Sequence, residues 1–251
     1  MKEIDGFWWL LISAGLLLLL QHNLHKEIQG VFLLLTHRAD ISIALFSILF
    51  FPGILVHESS HYLVARMLRV QTGRFSLIPR RSGVGRLQLG YVETVQTDIL
   101  RDALIGIAPL LTGGLIIAYI GLKQFNLDSL WEAYQAGLIS SWREAVTVIY
   151  LRADFWLWLY LAFVISSTMM PSRSDRRAWL PIALTLLLIL ALTLLAGAGP
   201  WLMLYVAPLL NRILKSVVFI FGISVSLHIV IWLPFLFTRV ILERLTGFRV
   251  E

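Results

Sequence analysis

Two histidines and a glutamate form the pattern best suited to chemistry, His57-Glu58-Ser59-Ser60-His61. The pattern lies in the apolar run 41–68, which we expect to be helical. Because residues four apart share one face of an α-helix, His57 and His61 can bind one metal ion together. Glu58 lies beside that ion and can act as general base on a water molecule. We therefore predict a Zn²⁺ site with His57 and His61 as ligands and Glu58 as the catalytic residue.

Ionisable side chains are costly inside a membrane helix, so three of them within five residues indicate a functional site. Two other interpretations remain open. The pattern can arise by chance, about once in 200 sequences of this composition. Alternatively, the polar residues serve only to hold helices together.

The composition places the helix that carries this pattern in a membrane. The chain has 251 residues, of which 58% are hydrophobic, and its mean hydropathy is +0.80. These values lie outside the soluble class. Cysteine is absent, so metal ligands must come from His, Asp or Glu. The net charge of +6 is concentrated beside the apolar runs, which indicates contact with an anionic lipid bilayer and not with nucleic acid.

The apolar runs predict an all-α polytopic membrane protein, with residues 1–251 forming a single domain. About six transmembrane helices can be drawn, each near the roughly 20 residues that a bilayer requires. The first run lacks a small-x-small cleavage site after it and is expected to be a retained anchor. Residues 201–214 are expected to lie along the membrane interface. The six predicted spans are 7–20, 41–68, 103–122, 155–170, 179–195 and 217–240.

A small membrane-associated β-hairpin or sheet is expected after the helix that carries His57 and His61. Residues 87–95 alternate between apolar and polar and are rich in β-forming types, although a plain connecting loop remains possible. An unwound substrate segment in lipid needs new backbone hydrogen bonds, which an exposed strand edge supplies. Leu89 and Tyr91 are therefore candidate substrate-binding residues.

Basic residues predict the orientation of the chain. With six spans, both termini share one side of the membrane with the segments 69–101 and 171–178. That side carries 14 of the 21 Lys and Arg residues, so it is expected to be cytoplasmic. His57 lies about 16 Å along the helix from that end. We expect an integral protein of a prokaryotic cytoplasmic membrane, with both termini in the cytoplasm and the site nearer the cytoplasmic side.

A catalytic zinc usually has a third protein ligand. Asp154 and Asp175 lie at opposite ends of the predicted span 155–170. Asp175 falls on the same side as the histidines, where Pro171 can end the helix and turn the chain back. Asp175 is therefore the predicted third ligand. The alternative is an ordinary loop carboxylate paired with a neighbouring arginine, namely Arg173, Arg176 or Arg177.

At this point the sequence resembles the site-2 protease family of intramembrane zinc metalloproteases. The resemblance covers His57–His61, the β-like stretch after it, residues 106–109, and residues 168–171 leading to Asp175. It implies that His57, His61 and Asp175 bind zinc and that Glu58 is the base. Thr168 stands where the family usually has an Asn that binds the substrate backbone, so Thr168 is a candidate substrate-binding residue. Pro171 and Asp175 are one residue closer than usual, and Arg176 replaces a Gly.

The neighbouring hydroxyls of Ser166 and Ser167 are alternatives to Thr168 for binding the substrate backbone, or all three only pack between helices. His228 is expected to be a packing residue or to support the ligands from outside.

The predicted function is a zinc-dependent intramembrane endopeptidase that cleaves transmembrane or juxtamembrane peptide bonds of membrane-protein substrates. The alternative is a non-proteolytic metal-binding membrane transporter or scaffold. A membrane di-iron oxidase would need more histidine clusters than the six His residues of this chain provide.

Overall fold

The computed structural model describes residues 5–77, 80–81, 87–88, 90–137 and 139–249. Most of these residues are helical, as the apolar runs predict. Two of the helices are continuous with a short π-helical segment, Ile120–Gln124 at the end of one and Leu202–Val206 at the start of the other. The helices are α1 (Asp5–Thr36), α2 (Ala39–Met67), α3 (Ile99–Tyr119, then Ile120–Gln124), α4 (Leu127–Gln135), α5 (Ile139–Tyr150), α6 (Phe155–Thr168), α7 (Trp179–Leu195), α8 (Gly199–Trp201) and, after Leu202–Val206, α9 (Ala207–Thr246).

Among the described residues, four helices are long and apolar enough to cross a membrane: α1, α2, α3 with its extension, and the continuous helix 199–246. The pair α5 and α6, which is bent by 87°, provides a fifth if it counts as one span. α7 is shorter, at 17 residues. The expected all-α polytopic architecture agrees with these helices, whereas the expected number of six spans is not confirmed.

α1 is longer than the predicted span 7–20, because the polar interval that follows this span is helical as well. Polar side chains in this interval bond to other helices: Gln21 donates to the carbonyl of Ser167, and Glu27 pairs with Arg239 at 3.3 Å. A polar side chain with a partner on a neighbouring helix does not interrupt a membrane helix. Residues 201–214 likewise belong to the continuous helix 199–246. Their expected position along the membrane interface stays a prediction.

α1 and α9 lie side by side and run in the same direction. Near the start of both, Asp5 pairs with Lys215 at 2.9 Å and accepts a hydrogen bond from Asn211 at 3.1 Å. Farther along both, Glu27 pairs with Arg239. Two parallel helices that both cross a bilayer begin on the same side of it. Asp5 and Thr246 therefore lie at opposite ends of this pair of helices. The expected cytoplasmic position of both termini stays a prediction.

The core forms where α2 packs against α1 and α6. Phe46 and Phe50 of α2 are buried, and the ring of Phe50 packs against that of Phe163 of α6 at a centroid distance of 5.5 Å. Tyr160 of α6 donates to the carbonyl of Leu49 at 2.8 Å. These contacts hold α2 and α6 parallel and place the C-terminal end of α6 beside His57.

The segment between α2 and α3 contains the expected β-structure in two small antiparallel sheets. β1 (Thr72–Ser76) pairs with β4 (Tyr91–Thr94), with Phe75 opposite Val92. β2 (Arg80–Arg81) pairs with β3 (Leu87–Gln88). The predicted run 87–95 is therefore divided between β3 and β4. Tyr91 begins β4, and Leu89 lies outside the described residues.

Candidate metal centre

Three side chains from two parts of the chain meet at one point. His57 and His61 come from successive turns of α2, and Asp175 comes from the loop between α6 and α7. Nε2 of His61 lies 3.4 Å from Oδ1 of Asp175, and Nε2 of His57 lies 3.8 Å from Oδ2. The two Nε2 atoms are 3.2 Å apart. The structure thus brings together the three residues that the sequence predicts as ligands, and their ligand atoms lie within 4.8 Å of one another.

Both imidazoles are oriented by backbone carbonyls. Nδ1 of His57 donates to the carbonyl of Thr168 at 2.6 Å, and Nδ1 of His61 donates to the carbonyl of Ile105 at 2.8 Å. A carbonyl oxygen only accepts hydrogen bonds, so each Nδ1 carries the ring proton. Each Nε2 is then left with a lone pair, which is the form of histidine that binds a metal.

The arrangement fits a tetrahedral cation. Two imidazole lone pairs and a carboxylate face one another, and a single proton on one imidazole would satisfy only one of these contacts. Ligand atoms of a tetrahedral zinc, at bond lengths of about 2.0–2.1 Å, lie about 3.3 Å apart. The three observed separations between ligand atoms, 3.2, 3.4 and 3.8 Å, are close to this distance. A metal ion therefore satisfies all three groups with little movement.

The C-terminal end of α6 supports the site through its last carbonyl groups, which have no partner within the helix. The carbonyl of Thr168 binds His57, and that of Ser167 accepts from Gln21 of α1. The hydroxyl of Ser167 bonds to Nε2 of His228 at 3.0 Å. Side chains from α1, α2 and α9 thus converge on one helical turn.

Thr168 lies at the site, and its carbonyl group has the clearest role there. Its hydroxyl donates back to the carbonyl of Val164 at 2.9 Å within α6. Its role in binding substrate, which the resemblance implies, stays a prediction.

The loop that carries Asp175 is held from two directions. The backbone N–H of Ser172 donates to Oδ2 of Asp175 at 2.7 Å, and Arg177 pairs with Asp102 of α3 at 2.9 Å. Burial raises the pKa of Asp175, but contacts with His61 and Ser172 lower it to about 2. This loop lies outside the spanning helices, and its carboxylate is ionised at neutral pH, as a metal ligand must be.

α3 approaches the loop so closely that only glycine fits at Gly106. A Cβ atom there would lie 2.0 Å from the carbonyl oxygen of Asp175. The missing side chain lets the backbone of the loop rest on α3, one residue after the carbonyl of Ile105 that orients His61. Gly106 therefore contributes to the position of both the carboxylate and the second histidine.

Glu58 lies beside the ligands without being one of them. It is 7% exposed, and it lines the same cavity as His57, His61 and Asp175. This cavity has a volume of about 830 Å³ and is also lined by β4, by Gln21 and by Thr168. A carboxylate that lines a cavity beside a candidate metal site is placed to take and return protons.

Asp154 lies elsewhere, as the sequence predicts. It accepts hydrogen bonds from Arg152 at 3.1 Å and from the indole N–H of Trp158 at 2.7 Å. Arg152 also donates to the carbonyl of Gln124. Asp154 thus joins the start of α6 to the end of α3 and has no part in the metal centre.

Sequence reasoning missed the supporting residues Gln21 and Asp102, and it named Gly106 only as part of the motif 106–109, without a role. The polar Gln21 within an apolar helix was a signal that could have been used, since such residues usually have a partner. Comparison with protein families, curated proteins and solved structures gives no match to this chain.

Proposed function

We propose that this protein is a zinc-dependent intramembrane endopeptidase that cleaves membrane-protein substrates within or next to a transmembrane segment. The observation that supports it most is the pair of Nε2 lone pairs that face the Asp175 carboxylate with Glu58 alongside. The likeness of the motifs to the site-2 protease family agrees with this assignment.

The residues at the site have separate roles in the proposed hydrolysis. His57, His61 and Asp175 would hold the metal, and the carbonyls of Thr168 and Ile105 keep the imidazoles in the required orientation. When bound, zinc supplies a Lewis acid that polarises a carbonyl group and makes water more acidic. Glu58 takes a proton from the attacking water and later gives it to the leaving amine.

β4 provides a place for the substrate. A transmembrane helix must unwind before its peptide bonds can be attacked, and each backbone group left unpaired in lipid costs several kcal/mol. β4 lines the cavity, and within the described residues it pairs with β1 alone. An extended substrate segment would add to the sheet at the other edge of β4. Tyr91, and Leu89 before it, stay candidate substrate-binding residues.

Basic residues surround the end of the bundle where the site lies, and this supports a cytoplasmic position for that end. We propose five crossings, formed by α1, α2, α3, the bent pair α5–α6 and α9, because this odd number fits the parallel α1 and α9. The N-terminus would then be cytoplasmic and the C-terminus on the other side. The basic residues near the site are Arg66, Arg69, Arg74, Arg101, Arg173, Arg176 and Arg177.

Purified protein tests the proposal through metal analysis combined with a cleavage assay on a library of single-span membrane proteins. We expect one zinc per chain and cleavage of some library members, with loss of cleavage after chelation and recovery on adding zinc. Bound zinc without cleavage of any library member would favour the transporter or scaffold. Protein free of zinc after purification and after reloading would contradict the metal centre.

A further inference from the structure

Gly90, the residue before β4, passes directly over Glu58. A Cβ atom at this position would lie 2.9 Å from Cγ of Glu58, 3.1 Å from Oε1 of Glu58 and 3.0 Å from Cγ2 of Ile54. Gly90 itself is buried. The bare backbone at this position therefore leaves room for the catalytic carboxylate, and any side chain here would have to displace it.

The hydrogen-bonding groups of β4 can be assigned to its two edges. Val95 donates its N–H to the carbonyl of Gln71 at 3.2 Å, so Val95 faces the β1 side. Along a strand the backbone groups of successive residues point to alternate sides. The register irregularity between β1 and β4 falls between Thr72 and Phe75, on β1, so this alternation continues through β4. Val92 and Thr94 therefore present N–H and C=O to the edge that β1 leaves open among the described residues. The backbone of Tyr91 faces β1, so Tyr91 can contact a substrate only through its side chain.

We propose that Gly90 positions Glu58 and marks the point along β4 where the scissile peptide bond lies. This inference rests on the proposed protease function and adds the register of the substrate. Glu58 lies under the Gly90 end of the strand, and Thr94 is four residues farther, about 13 Å away. A substrate residue beside Thr94 is therefore too far from Glu58 for its carbonyl to be attacked.

The proposed arrangement consequently has β4 bind the substrate backbone on one side of the scissile bond only. Val92 and Thr94 are the first two residues beyond Gly90 that can bond to an added strand. Successive contacts along that strand are two residues apart. The substrate backbone between the scissile bond and its second contact must then be extended, whereas the other flank is not constrained by β4.

The first test compares two glycine variants of the same sheet. Gly90→Ala should keep its zinc and lower kcat at least tenfold while KM changes less than threefold, because the added Cβ moves Glu58 and not the metal. Gly73→Ala is the matched control in β1, where the new Cβ would meet the exposed side chain of Glu93. Equal kcat for Gly90→Ala and wild type would overturn the positioning role.

The second test determines the register of the substrate along β4 by crosslinking, without a cleavage assay. The chain has no cysteine, so Val92→Cys and Thr94→Cys each introduce a single thiol. The probes are extended peptide hydroxamates, with the metal-binding hydroxamate at either end and one cysteine at successive positions. Disulfide formation requires Cβ atoms about 3.5–4.5 Å apart and therefore reports direct neighbours.

In one of the two probe series, the probe cysteine that crosslinks to Thr94→Cys should lie two residues farther from the hydroxamate than the probe cysteine that crosslinks to Val92→Cys. No offset, or the reverse order in both series, would overturn the proposed register. Failure of the protease proposal looks different: an ordered crosslinking pattern in a protein that holds zinc but cleaves no member of the substrate library.

Discussion

Gly106→Ala is expected to weaken zinc binding although the change lies outside the ligand set. The added Cβ would lie 2.0 Å from the carbonyl oxygen of Asp175 and 2.9 Å from its carbonyl carbon. Ordinary contact begins near 3.4 Å, so the loop backbone must move by about 1.4 Å. Metal–ligand distances tolerate only about 0.2 Å. The carboxylate therefore leaves its place or holds the metal under strain.

The expected losses of zinc affinity and folding stability in Gly106→Ala follow from the kind of contact that is disturbed. Changes in the groups that orient a ligand typically lower metal affinity 10- to 100-fold, which corresponds to about 1.4–2.7 kcal/mol. Overpacking of a tight contact costs a further 1–3 kcal/mol or so in folding stability. The replacement of glycine by alanine within a helix offsets about 1 kcal/mol of this cost.

Gly114→Ala provides the control, because it makes the same replacement in the same helix. Its Cβ would meet Ile220 at 3.7 Å, which is ordinary contact. Zinc affinity is measured by competition with a chelator, and folding by thermal unfolding in detergent with and without zinc. We expect Gly114→Ala to bind zinc as wild type does. Equal zinc affinity in Gly106→Ala and Gly114→Ala would refute the argument that α3 positions Asp175.

Three further outcomes are expected. Asp175→Ala should lose most of its zinc, whereas Asp154→Ala should keep it, because Asp154 bonds Arg152 and Trp158; equal zinc content in the two variants by elemental analysis would remove Asp175 from the site. His228→Phe should lower the free energy of unfolding by about 1–3 kcal/mol, since it leaves Ser167 without its buried partner; unchanged thermal stability would contradict this role. Val92→Pro removes an N–H from the open edge of β4 and should raise KM for an extended substrate with zinc content unchanged; a wild-type KM in the folded, zinc-loaded variant would argue against substrate binding at this edge.

The clustering of His57, His61 and Asp175 could be predicted from the sequence because it depends on local rules. His57 and His61 are one helical turn apart, and Pro171 ends α6 so that the loop carrying Asp175 can turn back toward α2. The β-structure after α2 also followed from a local pattern, the alternation in residues 87–95. What the pattern did not reveal was the division of this run between two sheets.

The support of the site could not be predicted in the same way. The carbonyls that orient the histidines belong to Thr168 and Ile105, which are 111 and 44 residues away from them. Backbone atoms carry no sequence signal, and their position depends on how helices pack. In lipid this packing is driven by close fit and by scattered polar contacts, not by an amphipathic pattern. The length of α1 and its parallel contact with α9 were missed for that reason.

The central claim is that Glu58 performs the chemistry at a zinc held by His57, His61 and Asp175. Glu58→Gln keeps the shape of the side chain and removes its ability to accept a proton. The most direct measurement determines zinc content and fragment formation in the same samples of wild type and Glu58→Gln. We predict equal zinc in both and fragments from wild type alone; cleavage by Glu58→Gln at the wild-type rate would contradict the mechanism.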